Sequence, residues 1–423
     1  MRPLRFILTP IGSSGDVHPY IGIGRALRAR GHEVVLLASE PFQDMAEAAG
    51  LRVVATHSTE DFDRLSQDPD LWHPRHGLRL VLRATASALR TEYDAIGSVY
   101  EPGRSVLVGH TLGFAARVFE EAHDAPAATL QLAPAAFRTD YRQPAFRPGR
   151  DLATTPRWIK RTLWWLIDRL AVDPCVRPEL NRLRLSLGLP PVSRVFRSWL
   201  HSPQRVIGLF PEWFAPWQPD WPPQLRLTGF PLYDEADQHS LSPDLERFLA
   251  AGDPPVVFTP GTANRSAAPF FAAAAAAATR LGRRALLMTR YPEQVPGGLP
   301  PAIRHERYAP FSALLPRCAA LVHHGGIGTC AQGLAAGIPQ LTMPLGFDQP
   351  DNTTRLGALG VGRWVLPRSF TGPRVAAALA DLLVDERVRT ACGKWADAVR
   401  RARPIDDTCD LLEDVARTRG AAQ

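Results

Sequence analysis

The sequence predicts an α/β protein with two halves, each containing a Rossmann-like parallel sheet. Near the amino end, an apolar strand at 4–9 is followed by a glycine-containing turn, a helix at 20–30 and a second strand at 33–38. A second strand–turn–helix opening occurs at 255–281, where an apolar strand precedes Gly261 and an alanine-rich helix. This alternation is typical of parallel sheets, which bind ligands beyond the carboxyl ends of their strands.

The length also favours two domains, because one hydrophobic core rarely organises more than about 250–300 residues. The chain has 423 residues, of which 45% are hydrophobic and 22% charged, a composition typical of globular proteins. We predict a first domain at 1–233, a polar interdomain linker at 234–253, a second domain at 254–400 and a helical tail at 401–423.

The net charge of +7 comes mostly from arginines that are scattered along the chain. Because there is no long basic run and no RNA-binding motif, we expect no nucleic-acid partner; an anionic substrate, a membrane surface or a solvated basic surface explains the charge. The five cysteines show no CxxC spacing, which favours a reducing compartment and disfavours a zinc site. With no signal-peptide pattern and no apolar run of about 18 residues, a cytoplasmic protein is expected.

The stretch 323–352 predicts a site for a diphosphate and a sugar. An apolar strand leads into a glycine-rich turn and the start of a helix, where unpaired N–H groups and the helix dipole favour an anion. Glycines allow the backbone to approach such a ligand closely. A carboxylate and an amide after the next strand suit sugar hydroxyls. The predicted residues are His324, Gly325, Gly326, Gly328, Thr329, Asp348 and Gln349.

Two other interpretations of this stretch stay open. Residues 326–331 also fit the loose dinucleotide-binding pattern GxGxxA, with Asp348 near the required offset. The dinucleotide interpretation explains neither the paired histidines nor the glutamine that follows Asp348. The stretch can also be a tight turn beside a core histidine that binds no ligand.

Asp16 follows the first strand, at the end where ligands bind in such sheets. An aspartate after a glycine is also a common helix N-cap, so both a catalytic and a structural role are open. His18 is a second candidate base, because imidazole titrates near neutral pH. His110, after the strand at 106–109, can line an acceptor pocket or be structural.

Seven of the ten tryptophans lie within residues 150–225. The pattern at 157–170 places apolar and basic residues at helical spacing. Such a helix can belong to the domain core, or it can form an apolar wall for a hydrophobic acceptor, with Trp164 and Trp165 in contact with it. It can also rest on an anionic membrane surface.

The pattern HHGGIGT…AGIPQ…P…DQ resembles the donor-binding signature of the family-1 glycosyltransferases, which have the GT-B fold. The resemblance extends over nearly the whole chain. Within the family, the chain is most similar to the rhamnosyltransferases of bacterial rhamnolipid biosynthesis, on the stretches FTPGT, LFPEWFAP, HSPQ and TGFPL. The resemblance implies two Rossmann-like domains that face a central cleft, and a helical tail that packs back on the first domain.

The resemblance also implies residue roles. The catalytic base lies three residues before a proline, which is Pro19 here, and this assigns it to Asp16. Some relatives carry an acid near position 110 that orients a catalytic histidine; His110 departs from that pattern and favours an Asp16 without such a partner. Gln332 replaces a ribose-binding glutamate and favours a TDP-sugar. The other implied donor-binding residues are Gly15, Thr262, Tyr308 and Ala309.

The implied reaction is an inverting transfer of L-rhamnose from TDP-L-rhamnose to a 3-(3-hydroxyalkanoyloxy)alkanoic acid, which gives a mono-rhamnolipid. The alternatives are transfer to another hydrophobic aglycone, such as a polyketide or sterol, and epimerisation of a nucleotide sugar. We expect no cofactor and no metal; the acidic triplets at 61–63 and 68–70 are predicted to be solvated or helix-capping. Peripheral binding at the inner membrane and association with the synthase of the lipid acceptor are further expectations.

Overall fold

The computed structural model describes residues 3–73, 76–149 and 154–420. The strands are β1 (Arg5–Thr9), β2 (Glu33–Ala38), β3 (Arg52–Ala55), β4 (Ser105–Gly109), β5 (Ala127–Gln131), β6 (Val206–Gly208), β7 (Leu225–Leu227), β8 (Val256–Thr259), β9 (Ala285–Met288), β10 (Ile303–Glu306), β11 (Ala320–His323), β12 (Gln340–Thr342) and β13 (Gly362–Trp364). The α-helices are α1 (Ser14–Ala29), α2 (Gln43–Ala48), α3 (Thr59–Ser66), α4 (Gly77–Val99), α5 (Phe114–His123), α6 (Arg157–Ile167), α7 (Asp173–Ser186), α8 (Pro243–Ala250), α9 (Ala268–Leu281), α10 (Phe311–Leu314), α11 (Ile327–Ala336), α12 (Gln349–Ala358), α13 (Gly372–Val384), α14 (Glu386–Arg401) and α15 (Pro404–Gly420).

The chain forms two compact units. Unit 1 consists of Met1–Pro144, Asp151–Pro231 and Arg403–Gln423, and unit 2 consists of Ala145–Arg150 and Leu232–Ala402. Each unit contains one parallel sheet, so the predicted α/β class with two Rossmann-like sheets is confirmed. The segment expected to be a linker lies inside unit 2, because α8 buries Leu245 and Leu249 in that unit's apolar core.

The seven-stranded sheet of unit 1 has the order β3-β2-β1-β4-β5-β6-β7. All its neighbouring strands pair in parallel, and β4 is buried along its whole length, as expected for a sheet covered on both faces. The strand order reverses between β1 and β4, whose last residues, Thr9 and Gly109, are register partners. Such a switch point opens a crevice at the carboxyl ends of the two strands, which here precede Asp16 and His110.

Unit 2 repeats this arrangement in a six-stranded parallel sheet of order β10-β9-β8-β11-β12-β13. Its switch point lies between β8 and β11, where Thr259 and His323 are register partners. The loop that contains Thr262 follows β8, and the glycine-rich turn follows β11. The topology therefore places the two predicted phosphate-binding segments side by side.

The first helix starts earlier than the sequence predicts, at Ser14 rather than at Tyr20. The carboxylate of Asp16 accepts a hydrogen bond from the Ser13 N–H, which caps the helix before the proline is reached. Pro19 consequently lies inside α1 rather than at its start. Its ring removes one helical hydrogen bond in the second turn, where the capped first turn already holds the helix.

The carboxyl-terminal region forms two helices, because α14 ends at Arg401, shortly before Pro404, and α15 begins at that proline. Helix α15 lies in unit 1 and packs against α1. Cys409, Leu412 and Val415 are buried on its inner side. Arg30, at the end of α1, forms ion pairs with three acids of α15, which are Asp406, Asp410 and Glu413.

The cysteines are all buried and none forms a disulfide. Among the helices of the described residues, none combines the length and the apolar composition that crossing a membrane requires.

Candidate functional site

The loop between β1 and α1 is built around the carboxylate of Asp16. Its Oδ2 accepts hydrogen bonds from the N–H of Ser13, at 2.7 Å, and from the Ser13 hydroxyl, at 3.1 Å. Gly12 has a φ of +133°, and a Cβ at this position would lie 2.2 Å from Oδ2. Glycine is therefore required here, both for the backbone conformation and to leave room for the carboxylate.

The second carboxylate oxygen of Asp16 faces His110. Asp16 Oδ1 lies 3.8 Å from His110 Nε2. The other ring nitrogen, Nδ1, accepts a hydrogen bond from the Leu112 N–H at 3.2 Å, so in a neutral ring the proton lies on Nε2 and points toward Asp16. Position 110 carries no acid, but the adjacent strands β1 and β4 bring the His110 ring next to Asp16 at one edge of the sheet.

The two side chains of this pair have shifted pKa values. Burial raises the pKa of Asp16 to about 6, although its two hydrogen bonds from Ser13 act in the opposite direction. The Asp16 side chain remains 33% accessible, so protein surrounds the carboxyl without sealing it from solvent. Burial lowers the pKa of His110 to about 3, which keeps its ring neutral near pH 7. Asp16 is thus ionised at neutral pH but more basic than an ordinary aspartate.

His18 lies farther along the first turns of α1 and is half-buried. Residues two positions apart on a helix point about 200° apart, so His18 projects to nearly the opposite side from Asp16. Tyr20 lies about one turn after Asp16, on the same side of α1. It is buried, and its hydroxyl donates to the Gly109 carbonyl at 3.2 Å. The geometry favours Asp16 over His18 as the base.

A pocket of unit 1 adjoins the same loop. It is lined by residues from the ends of β1, β2 and β3 and from α4 and α5, among them Gly12, His57 and Glu92. His57 Nε2 lies 3.9 Å from Glu92 Oε1. Burial raises the pKa of Glu92 to about 8 and lowers the pKa of His57. A carboxyl in a pocket with so large a pKa shift is a candidate for ligand contact.

In unit 2, the strand β11 ends at His323, which is a structural residue. Its ring is fully buried; Nδ1 accepts from the Gly325 N–H at 3.1 Å, and Nε2 lies 2.9 Å from Gln340 Oε1. The predicted contribution of a Gly325 N–H to anion binding is therefore wrong, because that N–H already has a partner. Gly325 instead supplies the turn, with a φ of +91°.

The ring of His324 lies between two glycine turns. A Cβ at Gly326 would be 2.5 Å from its Nε2, and a Cβ at Gly261 would be 2.8 Å from its Cε1. His324 Nδ1 is buried and has no hydrogen-bond partner among the described residues. Burial lowers the pKa of His324 to about 4, so the ring is neutral. A buried polar atom without a partner is costly, so this nitrogen is a candidate for contact with a ligand.

The amino end of α11 adjoins this ring. Its N-cap is Gly326, which has no side chain to satisfy the N–H groups of the first turn. A Cβ at Gly328 would meet no atom within 4 Å, so the space beside the first turn is open. Thr329 is half-buried in the same turn. Together with the unpaired Nδ1 of His324, this uncapped ten-residue helix fits an anionic group such as a diphosphate.

Asp348 and Gln349 lie at the start of α12, and their side chains differ in which polar atoms are already used by hydrogen bonds within the protein. Gln349 is 3% exposed, and its Oε1 accepts from the N–H groups of Leu345, at 2.8 Å, and of Gly346, at 3.3 Å. Its carbonyl therefore shapes the loop, and donation of its NH2 group to a sugar hydroxyl stays a prediction. Asp348 Oδ2 accepts from Asn352 Nδ2 at 2.6 Å, which fixes the orientation of the carboxylate.

The remaining predicted donor residues of unit 2 lie in loops at strand ends. Thr262 is exposed after β8. Tyr308 follows β10; its hydroxyl donates to the Asp234 carbonyl at 2.6 Å, and its ring packs edge-on against His239. Ala309 is buried next to it. These contacts hold the Tyr308 ring in place, as a base-stacking role requires. In unit 1, Gly15 precedes Asp16 in the first turn of α1 and is exposed.

The two tryptophans of α6 that were predicted to contact the acceptor, Trp164 and Trp165, have different surroundings. Trp164 is 2% exposed, and its indole N–H donates to the Thr139 carbonyl at 3.0 Å. The prediction that Trp164 lines an acceptor wall is wrong, because almost no surface of this side chain remains for a ligand. Trp165 is 45% exposed, and acceptor contact by Trp165 stays a prediction.

Two family models and a sequence relative match this chain. Residues 6–124 match the family described as glycosyltransferase family 28 N-terminal domain, and residues 288–408 match the erythromycin biosynthesis protein CIII-like C-terminal domain. The chain is 31% identical to O-mycaminosyltylonolide 6-deoxyallosyltransferase of Streptomyces fradiae over an alignment of 441 positions, gaps included, which covers 99% of each protein.

The chain belongs to the glycosyltransferases.

Solved structures show which fold this glycosyltransferase has. The glycotransferase of kitacinnamycin superposes with a TM-score of 0.76 at 19% identity, covering 98% of this chain and 100% of its own. The spinosyn rhamnosyltransferase SpnG, solved in complex with thymidine diphosphate, superposes with a TM-score of 0.69 at 20% identity, covering 97% and 100%. The GT-B fold predicted from the donor-binding signature is confirmed.

Three residues of this glycosyltransferase were not assigned a role from the sequence. Asn352 is fully buried and donates both to Asp348 and, at 3.0 Å, to the Gly325 carbonyl, so it joins the two ligand loops. Its spacing of four residues from Asp348 on a helix is a usable signal. His57 and Glu92 belong to no motif, and only the fold brings them to one pocket.

Proposed function

We propose that this glycosyltransferase moves a 6-deoxyhexose from a TDP-sugar to a hydroxyl group of a hydrophobic polyketide or macrolide aglycone, with inversion at the anomeric carbon. The observation that carries the proposal is the position of Asp16 next to the neutral ring of His110 at the switch point of the first sheet. This pair supplies a general base, and the uncapped start of α11 supplies a site for the leaving diphosphate.

On the donor side, the diphosphate takes the place next to His324 Nδ1 and the first-turn N–H groups of α11. Thr329 and Thr262 add hydroxyl donors, and the NH2 group of Gln349 and the carboxylate of Asp348 hold the sugar hydroxyls. When the bond between the anomeric carbon and the diphosphate oxygen breaks, negative charge grows on the leaving group. Donors that are already in place stabilise this charge without reorganisation.

On the acceptor side, Asp16 removes the proton of the acceptor hydroxyl as its oxygen attacks the anomeric carbon from the face opposite the diphosphate. A pKa of about 6 leaves Asp16 largely ionised at pH 7 and closer to the ideal for a general base than an ordinary carboxylate. His110 is a positioning residue in this mechanism. Its Nε2–H faces Oδ1, while Ser13 holds Oδ2.

Two observations support TDP as the nucleotide. Gln332, a neutral residue, is buried on α11 at the position where related UDP-sugar enzymes carry a ribose-binding glutamate. SpnG was solved with thymidine diphosphate. The Streptomyces fradiae relative is named for transfer of 6-deoxyallose and SpnG for transfer of rhamnose, which supports a 6-deoxyhexose, with L-rhamnose as the first candidate.

The acceptor class follows from the relatives. The Streptomyces fradiae enzyme is named for O-mycaminosyltylonolide, and the matched C-terminal family is named for erythromycin biosynthesis. These names support a polyketide or macrolide acceptor over the hydroxyacyl-hydroxyacid that the sequence resemblance implied. The lipid acceptor is kept as a second candidate, because exposed Trp165 on α6 offers apolar surface for a chain.

The test is a matrix of donors and acceptors. Purified protein is incubated with TDP-L-rhamnose, another TDP-6-deoxyhexose or UDP-glucose, and with a macrolide aglycone or a hydroxyacyl-hydroxyacid, and products are measured by mass spectrometry. An aglycone heavier by one deoxyhexose with a TDP donor supports the proposal. Product from the hydroxyacyl-hydroxyacid alone would replace the acceptor class with the lipid, and product from UDP-glucose alone would overturn the donor.

A further inference from the structure

The outer side of α6 is an exposed apolar and basic surface on unit 1. Trp158 is 70% exposed and Leu170, just beyond the helix, is 62% exposed. We call this surface the α6 face; it consists of Trp158, Trp165, Leu166 and Leu170 together with Arg157, Arg161 and Arg169. Contiguous apolar side chains on a protein surface usually mark an interaction site.

The orientation of α6 is fixed by polar groups on its inner side. Lys160 is 2% exposed and donates to the Tyr141 carbonyl. Asp168 is 1% exposed and pairs with Arg138 at 3.1 Å. An amphipathic helix normally turns its apolar residues inward and its charges outward. Because Lys160 and Asp168 are buried with internal partners, the exposed tryptophans and leucines cannot turn inward without breaking those pairs.

The α6 face carries positive charge without an exposed acid. Arg157 lies over the Tyr141 ring at 4.0 Å, and Arg169 lies over the Trp165 ring at 5.5 Å. Arg161 pairs with Asp140, whose buried carboxylate also pairs with Arg197, so the positive charge of the face rests on Arg157 and Arg169. Between positions 157 and 170 the only acid is the buried Asp168.

We propose that the α6 face docks the protein on a membrane surface that contains anionic lipids. Tryptophan and leucine side chains favour the boundary between headgroups and acyl chains, and arginines beside them attract anionic headgroups. Arginine side chains can also reach the headgroups while their stems lie along apolar surface. None of the described helices is long and apolar enough to cross a bilayer, so α6 would lie along the surface. This docking is independent of the proposed sugar transfer.

The test is co-sedimentation with vesicles of phosphatidylcholine, with and without phosphatidylglycerol. The wild-type protein should bind the anionic vesicles, and binding should weaken as salt rises. The double variant Trp158→Gln, Leu170→Gln should lose at least about tenfold in partitioning. The double variant Arg157→Gln, Arg169→Gln should lose about fivefold per arginine, and only with anionic vesicles. Leu185→Gln on α7, where Leu185 is 61% exposed, is the matched control and should bind like wild type.

Other occupants give different results. If the wild-type protein is a dimer in sedimentation velocity and the Trp158→Gln, Leu170→Gln variant is a monomer, with no vesicle binding by either, a second copy covers the face and the proposal is overturned. If neither binds vesicles but the variant binds its acceptor more weakly, the face belongs to the acceptor site and the proposal is also overturned. Thermal unfolding with and without TDP shows whether each variant is folded, and this reading does not depend on membrane binding.

Discussion

Asp16 Oδ1 and His110 Nε2 lie 3.8 Å apart at the paired ends of β1 and β4. In many members of the family, by the sequence resemblance, a histidine is the base and an acid orients it. The two residue types occur here in the reverse order. Because His110 is buried and its Nδ1 accepts from the backbone, it cannot readily take up a proton and presents a fixed N–H to the carboxylate. In the proposed mechanism, the base and its orienting group therefore exchange roles.

This exchange predicts the pH dependence of the reaction. Since Asp16 must be ionised to act, kcat/KM should fall as pH decreases through about 6, where an unperturbed aspartate would hold activity to about pH 4. His110→Phe removes the N–H that favours the carboxylate, so the acidic limb should move to higher pH and kcat should fall with little change in KM. His110→Gln, which keeps a donor, should restore part of the activity. A limb that stays at the same pH in His110→Phe would show that His110 does not act on Asp16.

His324→Ala should weaken TDP binding by about 10–100-fold, because a hydrogen bond to a charged group is worth about 1.5–3 kcal/mol. The lost Nδ1 is buried and has no partner among the described residues, so its removal breaks no internal hydrogen bond; the ring's packing between the turns at Gly261 and Gly326 is lost as well. Isothermal titration with TDP measures the effect. Unchanged affinity in a variant that melts like wild type would contradict the diphosphate role of His324.

Gly328→Ala separates ligand binding from folding. The added methyl group would meet no protein atom within 4 Å, and alanine is favoured over glycine in a helix by about 1 kcal/mol. The variant should therefore unfold at the same temperature as wild type or higher. It should nevertheless lose TDP affinity, since the methyl group occupies space beside the first turn of α11. Wild-type TDP affinity would mean that the diphosphate does not approach this turn.

Glu92→Gln should change how stability depends on pH. Because the pKa of Glu92 is about 8 in the folded protein and near its usual value when unfolded, ionisation favours unfolding once pH exceeds the unfolded value. The wild-type protein should lose up to about 1.4 kcal/mol per pH unit relative to the variant from about pH 4.5 to about pH 8. Urea unfolding at pH 5 and pH 8 measures this difference. A difference in stability that is the same at both pH values would show that Glu92 is ionised in the folded protein.

Local patterns predicted the parts of the fold and site that depend on neighbouring residues. Strand β11, the glycine turn at 325–328 and the end of α11 at Gly337 lie where the sequence predicts them. These features depend on an apolar run and on the backbone freedom of glycine, and both are properties of a few neighbouring residues. The sequence places the start of α1 too late, after Pro19, because proline disfavours the interior of a helix. The capping contact between Asp16 and Ser13 outweighs this tendency and starts the helix at Ser14.

Relations between distant segments could not be predicted from the sequence. The approach of His110 to Asp16 depends on the pairing of β1 with β4. The burial of Trp164 depends on which side of α6 packs against the rest of unit 1. The use of the Gln349 carbonyl by the loop at 345–346 likewise follows from a backbone path that no spacing reveals. In each case the residue was recognised from its chemistry, but its partner is set by packing.

The most direct test of the mechanism compares wild type and Asp16→Asn in the same assay. Product formation from a TDP-6-deoxyhexose and an accepted aglycone is followed by mass spectrometry, and TDP binding is measured on both proteins. Loss of a general base should lower kcat by about 10²–10⁴-fold, while TDP should bind both proteins equally, because Asp16 is not among the groups proposed to hold the diphosphate. Turnover by Asp16→Asn within a few-fold of wild type would contradict the assignment of Asp16 as the base.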